Sequence, residues 1–560
     1  MLKPVSMLRV RGYIPVECVD RFLAAVGEQK LIELKDMRGR IGRKLEGKVK
    51  PIEPTEKLFR LSALSSRIDS LATSLGISLE AAAEEIEGKT SPEAVDEAEK
   101  YVSELEAKVS SIQSRIADLE REAEEEEKAL EEKKGLEEEL KSIAEESKAK
   151  LIEYKRVVES FRVIEEAKTK MARSETVAVF EGWVPEESRR KLEKIAEECT
   201  GGKYVLEFAR PQLEHGHHAE KPPTLLKNPS IVHVTEALVR SYGIPNYFEI
   251  DPSILWFFTF PVIFGMMFGD LGHGLVLTVL ASIAYLLKRR GFEGGGEIIR
   301  YVLEGSTFFI LGGLAATFFG LVYGEVLGHH LHEVFHSEAI EHVREKLLHA
   351  LGFPSHWSPA EEPMPLLKFS VYVAILHILA GLILGLINKL RMKEYEEAVA
   401  GPLVWIWLYL GGVYLFFKHG VGAFMIAFNF KQSFPFLWLP FLVMLVLRMK
   451  VLGATEGFGE ALDSLLASLS NTISYSRIFA FEMIHVVLSK LFVEFTRGLP
   501  MVGPFTIGAI VGTLFFVFFE VIFVFFQDLR LHWVEHGLKF YMGDGVQFKP
   551  LMLPVPVSFP

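Results

Sequence analysis

The stretch from Ser464 to Phe492, SLLASLSNTISYSRIFAFEMIHVVLSKLF, is long and apolar enough to cross a bilayer, yet it carries Arg477 near its middle with Asp463, Asn471, Glu482 and His485 around it. A charge at the centre of a bilayer costs about 2.5–3.5 kcal/mol on insertion scales. A span therefore keeps such residues for function and not for stability. At about 100° per residue, with Arg477 at zero, Ser470 falls at roughly 20°, Asp463 and Phe481 at roughly 40°, Ser474 at roughly 60° and His485 at roughly 80°. One polar stripe thus runs the length of the helix. It reads either as a helix held into a bundle by hydrogen bonds or as an ion-conducting face with a buried arginine at its centre, and the second reading accounts for the charge. Glu482, at roughly 140°, lies off the stripe and is expected to tolerate glutamine.

The other apolar runs follow from Pro252 onward, separated by short charged turns. Over 560 residues, with 24% charged, a mean hydropathy of +0.23 is too positive for a wholly soluble chain. Candidate spans cover about 253–269, 272–288, 303–325, 366–388, 402–418, 434–449, 464–493 and 504–530, an all-α membrane domain (252–560) of eight transmembrane helices with the last two long and tilted. Lys288, Arg289, Arg290 and Arg300, then Lys389, Arg391 and Lys393, then Arg448 and Lys450 fall in alternate connections. Both termini are then expected in the cytoplasm and the protein in the cell membrane, multi-pass. The last span is rich in phenylalanine and holds Glu520 near its midplane, with Arg530 about 15 Å further along. Glu520 is too deep to reach water by extending its side chain and needs a partner.

The first 210 residues have a different character. A strand at Val5–Val10, a helix at Val19–Gly27 and a strand at Leu31–Leu34 form one α/β half, and Glu175–Ala209 repeats the pattern, with Pro185 and Glu186 in the first turn of its helix. The two halves, 1–50 and 175–210, are expected to share one sheet in a cytoplasmic lobe. Between them, Leu61, Leu64, Ile68, Leu71 and Leu75, and again Val102, Leu105, Val109, Ile112, Ile116 and Leu119, step by three and four, the pattern of a coiled coil. The register breaks at Lys133-Lys134-Gly135, so 55–172 is expected to be an antiparallel helical hairpin turning there. Its glutamates supply most of the net charge of −12, which argues against a nucleic-acid partner. Residues 211–251 read as a polar linker. His215, His217 and His218 within it, and His329, His330, His332 and His336 in the loop over 326–365, read as solvated loops, with no metal site and no cofactor expected. Cys18 and Cys199 suggest no disulfide, and no cleavable signal opens the sequence.

Six segments in order resemble one family: EGWVPEE (181–187), PPTLLKNP (222–229), FPVIFGMMFGDLGHG (260–274), LVYGEVLG (321–328), SYSRIFAFEMIHVVLS (474–489) and LRLHWVEHGLKFYMGDGVQFKP (529–550). They are similar to the membrane stator subunit, called subunit I or a, of archaeal A-type and vacuolar V-type rotary ATPases. The resemblance implies a non-catalytic, ion-translocating subunit that couples proton or sodium movement to ATP synthesis or hydrolysis. Its implied partners are a ring of small proteolipid subunits, peripheral-stalk coiled-coil subunits and, indirectly, soluble nucleotide-binding motor subunits. It further implies that Arg477 is the arginine facing the ring carboxylates, that Arg530 is a second arginine, and that Glu520, His485 and Asp463 take part in ion transfer; Ser470 and Ser474 of the polar stripe, with Asn471, are expected to line the channel. Asp463 stands where relatives carry glutamate, and Asn471 where some carry histidine. Relatives also place a second α/β lobe between the arms of the coiled coil, and none is read here near Gly135.

The alternative is a secondary transporter or channel with a cytoplasmic coiled-coil regulatory domain. It needs no long acidic arm, and the membrane region shows no clear repeat between its halves. No GxxxxGK[ST] loop occurs, so nucleotide is left to partner subunits.

Overall fold

The computed structural model describes residues 3–38, 49–79, 89–122, 127–211, 221–292, 296–496 and 505–559, and these form two compact units. One comprises Val5–Pro223 and Phe548–Pro560, the other Met1–Pro4 and Thr224–Gln547.

In the first unit, β1 (Met7–Pro15) buries Leu8, Val10 and Ile14 by period-two alternation, in one core with Phe22, Leu23 and Val26 of α1 (Val19–Glu28). The chain continues through β2 (Glu33–Lys35), β3 (Lys50–Pro51), α2 (Glu56–Ser74), α3 (Glu93–Glu122), α4 (Glu127–Thr169), β4 (Ala172–Arg173), β5 (Val177–Pro185), α5 (Arg189–Thr200) and β6 (Val205–Ala209). The strand order is β3-β4-β5-β1-β6, with β2 also on β5, and β1 runs antiparallel to both β5 and β6. The two α/β halves therefore interleave in one sheet. Cys18 and Cys199 are free thiols, each half-buried.

The arm is helical and antiparallel, since Tyr101 meets Tyr154 at 5.4 Å and Arg115 pairs with Glu132 at 3.2 Å. Near its base α2 joins it, with Ser65 donating to Glu159 at 2.7 Å and Lys155 to Asp69 at 2.7 Å. Leu61, Ile68, Val102, Val109, Val158 and Phe161 are buried in the same core as the sheet. That seam dominates: each buried aliphatic or aromatic side chain contributes about 1.5–3 kcal/mol, whereas an exposed pair such as Arg115–Glu132 contributes about 0–1 kcal/mol. The turn expected at Lys133-Lys134-Gly135 is not there. These residues lie inside α4, which begins at Glu127. One glycine costs a helix only about 1 kcal/mol, which a 43-residue helix absorbs.

The end of the chain, expected within the membrane domain, belongs to this unit. Leu551 donates to the Ile32 carbonyl at 2.8 Å, Val555 to Ser160 Oγ at 2.9 Å and Ser558 to the Thr90 carbonyl at 3.0 Å, and Phe559 meets Phe161 edge-on at 5.7 Å. Pro554 and Pro556 fix φ near −65° and keep the tail extended between these anchors.

The second unit contains α6 (His233–Tyr242), α7 (Ser253–Met267), α8 (Leu271–Arg289), α9 (Glu297–Tyr323), the short hairpin β7 (Glu325–Val326) and β8 (His329–His330), α10 (Leu331–Phe335), α11 (Glu338–Leu351), α12 (Met364–Arg391), α13 (Tyr395–His419), α14 (Phe430–Leu452), α15 (Ala454–Ser474), α16 (Ser476–Phe495) and α17 (Ile507–Lys539). Six of these, α8, α9, α12, α13, α14 and α17, are long and apolar enough to cross a membrane. The expected span over 253–269 is the shorter α7, and the one over 464–493 is broken at Tyr475. The expected linker over 211–251 holds a helix, α6, while His215, His217 and His218 lie outside the described residues. The four loop histidines occupy β8, α10 and the residue after it. Helices α8 and α9 approach closely: a Cβ at Gly313 would press on the Gly274 carbonyl at 2.9 Å, so small residues set this packing.

Candidate functional site

Tyr475 interrupts the arginine-bearing span because its side chain is anchored elsewhere. It is fully buried, and its hydroxyl lies 2.7 Å from His377 Nδ1 on α12. The amide of Tyr475 bonds back three residues, to Thr472, a local tightening of the helix. The break leaves the residues on either side of it on one face. On the open side of the break, Ser470, Ser474 and Arg477 line a groove of about 530 Å³ with Leu466, Leu469 and Ile473.

Arg477 is one-fifth exposed and donates from Nη1 to Glu535 Oε1 of α17 at 3.1 Å, and Glu535 is 2% exposed. The arginine thus presents its remaining edge to the groove while one buried carboxylate holds it. Sequence reasoning passed over Glu535, which lies 58 residues away. Behind this pair is a buried column. His377 stacks on His536 at 3.9 Å, and His532 lies 4.9 Å from His377, accepts or donates at Thr259 at 2.9 Å, and sits 2.9 Å from Asp528. Asp528, His532 and His536 recur every four residues, one face of α17. That spacing is readable in an otherwise aromatic run.

On the other side of Arg477 lies a second cluster. His485 Nδ1 is 2.9 Å from Glu520 Oε2, and both side chains are buried. Glu520 ends a π-helical turn, Phe516–Glu520, a local widening common at functional positions. His485 Nε2 is 4.0 Å from Asp270 Oδ2. Asp270 caps α8 through the amide of His273 at 2.8 Å and also accepts from Leu327 at 3.0 Å and Gly328 at 3.4 Å. Glu482 is fully buried and accepts the Gly269 amide at 2.8 Å. A structural role for it, unforeseen in the sequence, follows from that bond.

A family model described as the V-type ATPase 116kDa subunit family matches residues 94–418 and 460–553, more than half of the chain and including Arg477, Glu535 and both clusters. The chain belongs to the V-type ATPase 116kDa subunit family. It is 28% identical over 410 residues to the A-type ATP synthase subunit I of Methanocaldococcus jannaschii, covering 69% of this chain and 56% of that protein. To the A-type ATP synthase subunit I of Saccharolobus solfataricus it is 28% identical over 435 residues, covering 68% and 60%. To the V-type proton ATPase 116 kDa subunit a1 of Xenopus laevis it is 23% identical over 460 residues, covering 59% and 55%. The chain matches somewhat more than half the length of these relatives.

Within this member of the 116kDa subunit family, the residues singled out from sequence fall into separate places. His485 and Glu520 are brought together, and Ser470, Ser474 and Arg477 share the groove. Asn471 is half-buried on α15. Asp463 and Arg530 are exposed, and neither touches the His485 cluster: Asp463 lies fourteen residues before Arg477, about 21 Å along a helix.

Proposed function

We propose that this chain is the membrane stator subunit of a rotary A/V-type ATP synthase or ATPase. The observation that carries the reading is Arg477, held by Glu535 at the edge of an open groove in a broken membrane helix. A carboxylate on a rotating ring subunit crosses lipid only when neutral, because a bare charge in hydrocarbon is too costly. Facing a guanidinium it is driven to ionise. It then releases its ion on one side of Arg477 and reloads from the other, and the fixed cation blocks leakage between the two paths. Asp463, Asn471 and Ser470 supply one aqueous path. His485 and Glu520 supply the other, and Arg530 acts as the second arginine of the ion path. A proton is the preferred ion, since imidazole ordinarily titrates near neutral pH.

We take short α7 and the pair α15–α16 as one crossing each, beside the six long helices; eight crossings put both termini on the same side, and the basic residues in alternate connections support the cytoplasm as that side. The first unit is then the static anchor, clamping peripheral-stalk helices at the lobe, with the helical arm as its lever. Co-purification in mild detergent tests the reading. A small, multi-span ring protein and nucleotide-binding subunits are expected to accompany the folded chain. A folded, monodisperse chain that transports ions without them would establish the transporter instead.

A further inference from the structure

We propose that Asp270, His273 and His485 form a binding site for a divalent transition-metal ion of the zinc and cobalt class. The three side chains are each 1% exposed or less, and one ligand atom from each lies within 4.8 Å of the other two. Asp270 Oδ1 is 3.3 Å from His273 Nδ1, and Asp270 Oδ2 is 4.0 Å from His485 Nε2. Ligands about 2.0–2.1 Å from a tetrahedral zinc ion lie roughly 3.4 Å apart, so small rotamer adjustments close the set.

Hydrogen bonding points to a ligand here. Both ring nitrogens of His273 and Nε2 of His485 are buried with no hydrogen-bond partner among the described residues. Leaving a buried polar atom unmatched costs about 1–3 kcal/mol, and a fold does not gather three such nitrogens around one carboxylate without use. His485 is already oriented for coordination: Glu520 holds its Nδ1 at 2.9 Å, leaving Nε2 directed at Asp270. A carboxylate on the far nitrogen of a ligating histidine fixes the tautomer and raises ligand basicity. The Leu327 and Gly328 amides hold Asp270 in the same way. Two imidazoles and one carboxylate select zinc, cobalt or nickel over magnesium or calcium, which take all-oxygen sets. Neither histidine-rich stretch of the sequence contributes a ligand. The site joins the start of α8 to the middle of α16, two segments whose spacing in sequence conceals it. The β7–β8 hairpin, whose connecting Leu327 and Gly328 bind Asp270, carries Glu325, which sits 3.8 Å from Lys490 and 3.7 Å from half-exposed His330.

The consequence for transport rests on the reading that ions pass by His485 and Glu520: a metal ion there removes His485 from the path and inhibits turnover. Binding itself does not rest on that reading, and cobalt separates the two. Added to the purified, detergent-solubilised complex, Co²⁺ is expected to give d–d absorption saturating at one ion per chain and to be displaced by Zn²⁺. His273→Gln should weaken binding at least about tenfold, the scale on which ligand-sphere changes act, while co-purification confirms assembly. Asp270→Asn, which keeps an acceptor for the Leu327 and Gly328 amides, gives the same test should His273→Gln fail to assemble. In reconstituted vesicles Zn²⁺ should inhibit ATP-driven uptake, and His273→Gln should shift the inhibition by the same factor. Equal cobalt binding by the parent protein and both variants overturns the site. Binding that responds to the variants while uptake is unaffected by zinc establishes the site and overturns the His485 path.

Discussion

Arg477→Ala is expected to abolish ATP-driven ion uptake, with a loss of at least about a hundredfold, equivalent to about 3 kcal/mol of lost interaction. The charge that drives each ring carboxylate to release its ion is gone, and nothing then separates the two aqueous paths. The structure adds a complication that the sequence did not reveal. Alanine leaves Glu535 as a carboxylate 2% exposed with its cation removed, and breaking a buried pair from one side costs about 3–5 kcal/mol. Arg477→Gln, which keeps a donor for Glu535, and the double change Arg477→Gln with Glu535→Gln, which removes both charges, therefore belong in the same experiment. All three should fail to pump, and the double variant should assemble best. Lysine should rescue poorly, because an ammonium is compact and readily neutralised when buried, whereas guanidinium stays protonated and meets two carboxylates through separate nitrogens. The readouts are uptake in reconstituted vesicles and recovery of the ring protein on purification. Near-normal pumping by Arg477→Ala would sink the mechanism.

The second large effect is expected at Glu520. Glutamine preserves its shape and its hydrogen bond to His485 but not its capacity to exchange a proton. Uptake should fall by about a hundredfold, the low end of what a positioned proton-transfer group contributes. Glu520→Asp should recover part of that rate, since the carboxylate is kept at a longer distance from His485. Asp463→Asn, at an exposed position away from the His485 cluster, should cost far less. ATP hydrolysis by the intact complex should fall with uptake in the Glu520→Gln protein, because a ring that cannot reload does not turn. Hydrolysis that continues at the parent rate while uptake stops would show Glu520 acting in coupling and not in ion transfer.

The site was legible in sequence wherever a single residue broke a strong local rule. Arg477, Glu520 and His485 are titratable groups in apolar runs, and each was found on that ground. What the sequence could not supply was partnership. It does not mark the break at Tyr475, although Ser470, Ser474 and Arg477 on either side of that break still share one groove. Glu535, His377 and Asp270 acquire their meaning from contacts over long separations in the chain, for which periodicity carries no information. The misplaced turn has a local cause: Lys133-Lys134-Gly135 has the composition of a break, but the packing of α4 overrides the small penalty of one glycine. The C-terminal tail follows the last span directly in sequence, although its prolines mark an extended strap and not a membrane helix.

The central claim is that the groove along α15 and the start of α16 faces the rotating ring, and cysteine cross-linking tests it most directly. With Cys18 and Cys199 replaced by serine, single cysteines are placed at Ser470 and Ser474 in the groove and at Ser489, which is 3% exposed on the inner face of α16. A second cysteine one helical turn from the ring carboxylate completes each pair, and mild oxidation is followed by separation under non-reducing conditions. The account predicts cross-linked product from Ser470→Cys and Ser474→Cys, with loss of ATP-driven uptake that reductant restores, and none from Ser489→Cys. Cross-linking through Ser489→Cys with none from the two groove positions would contradict it.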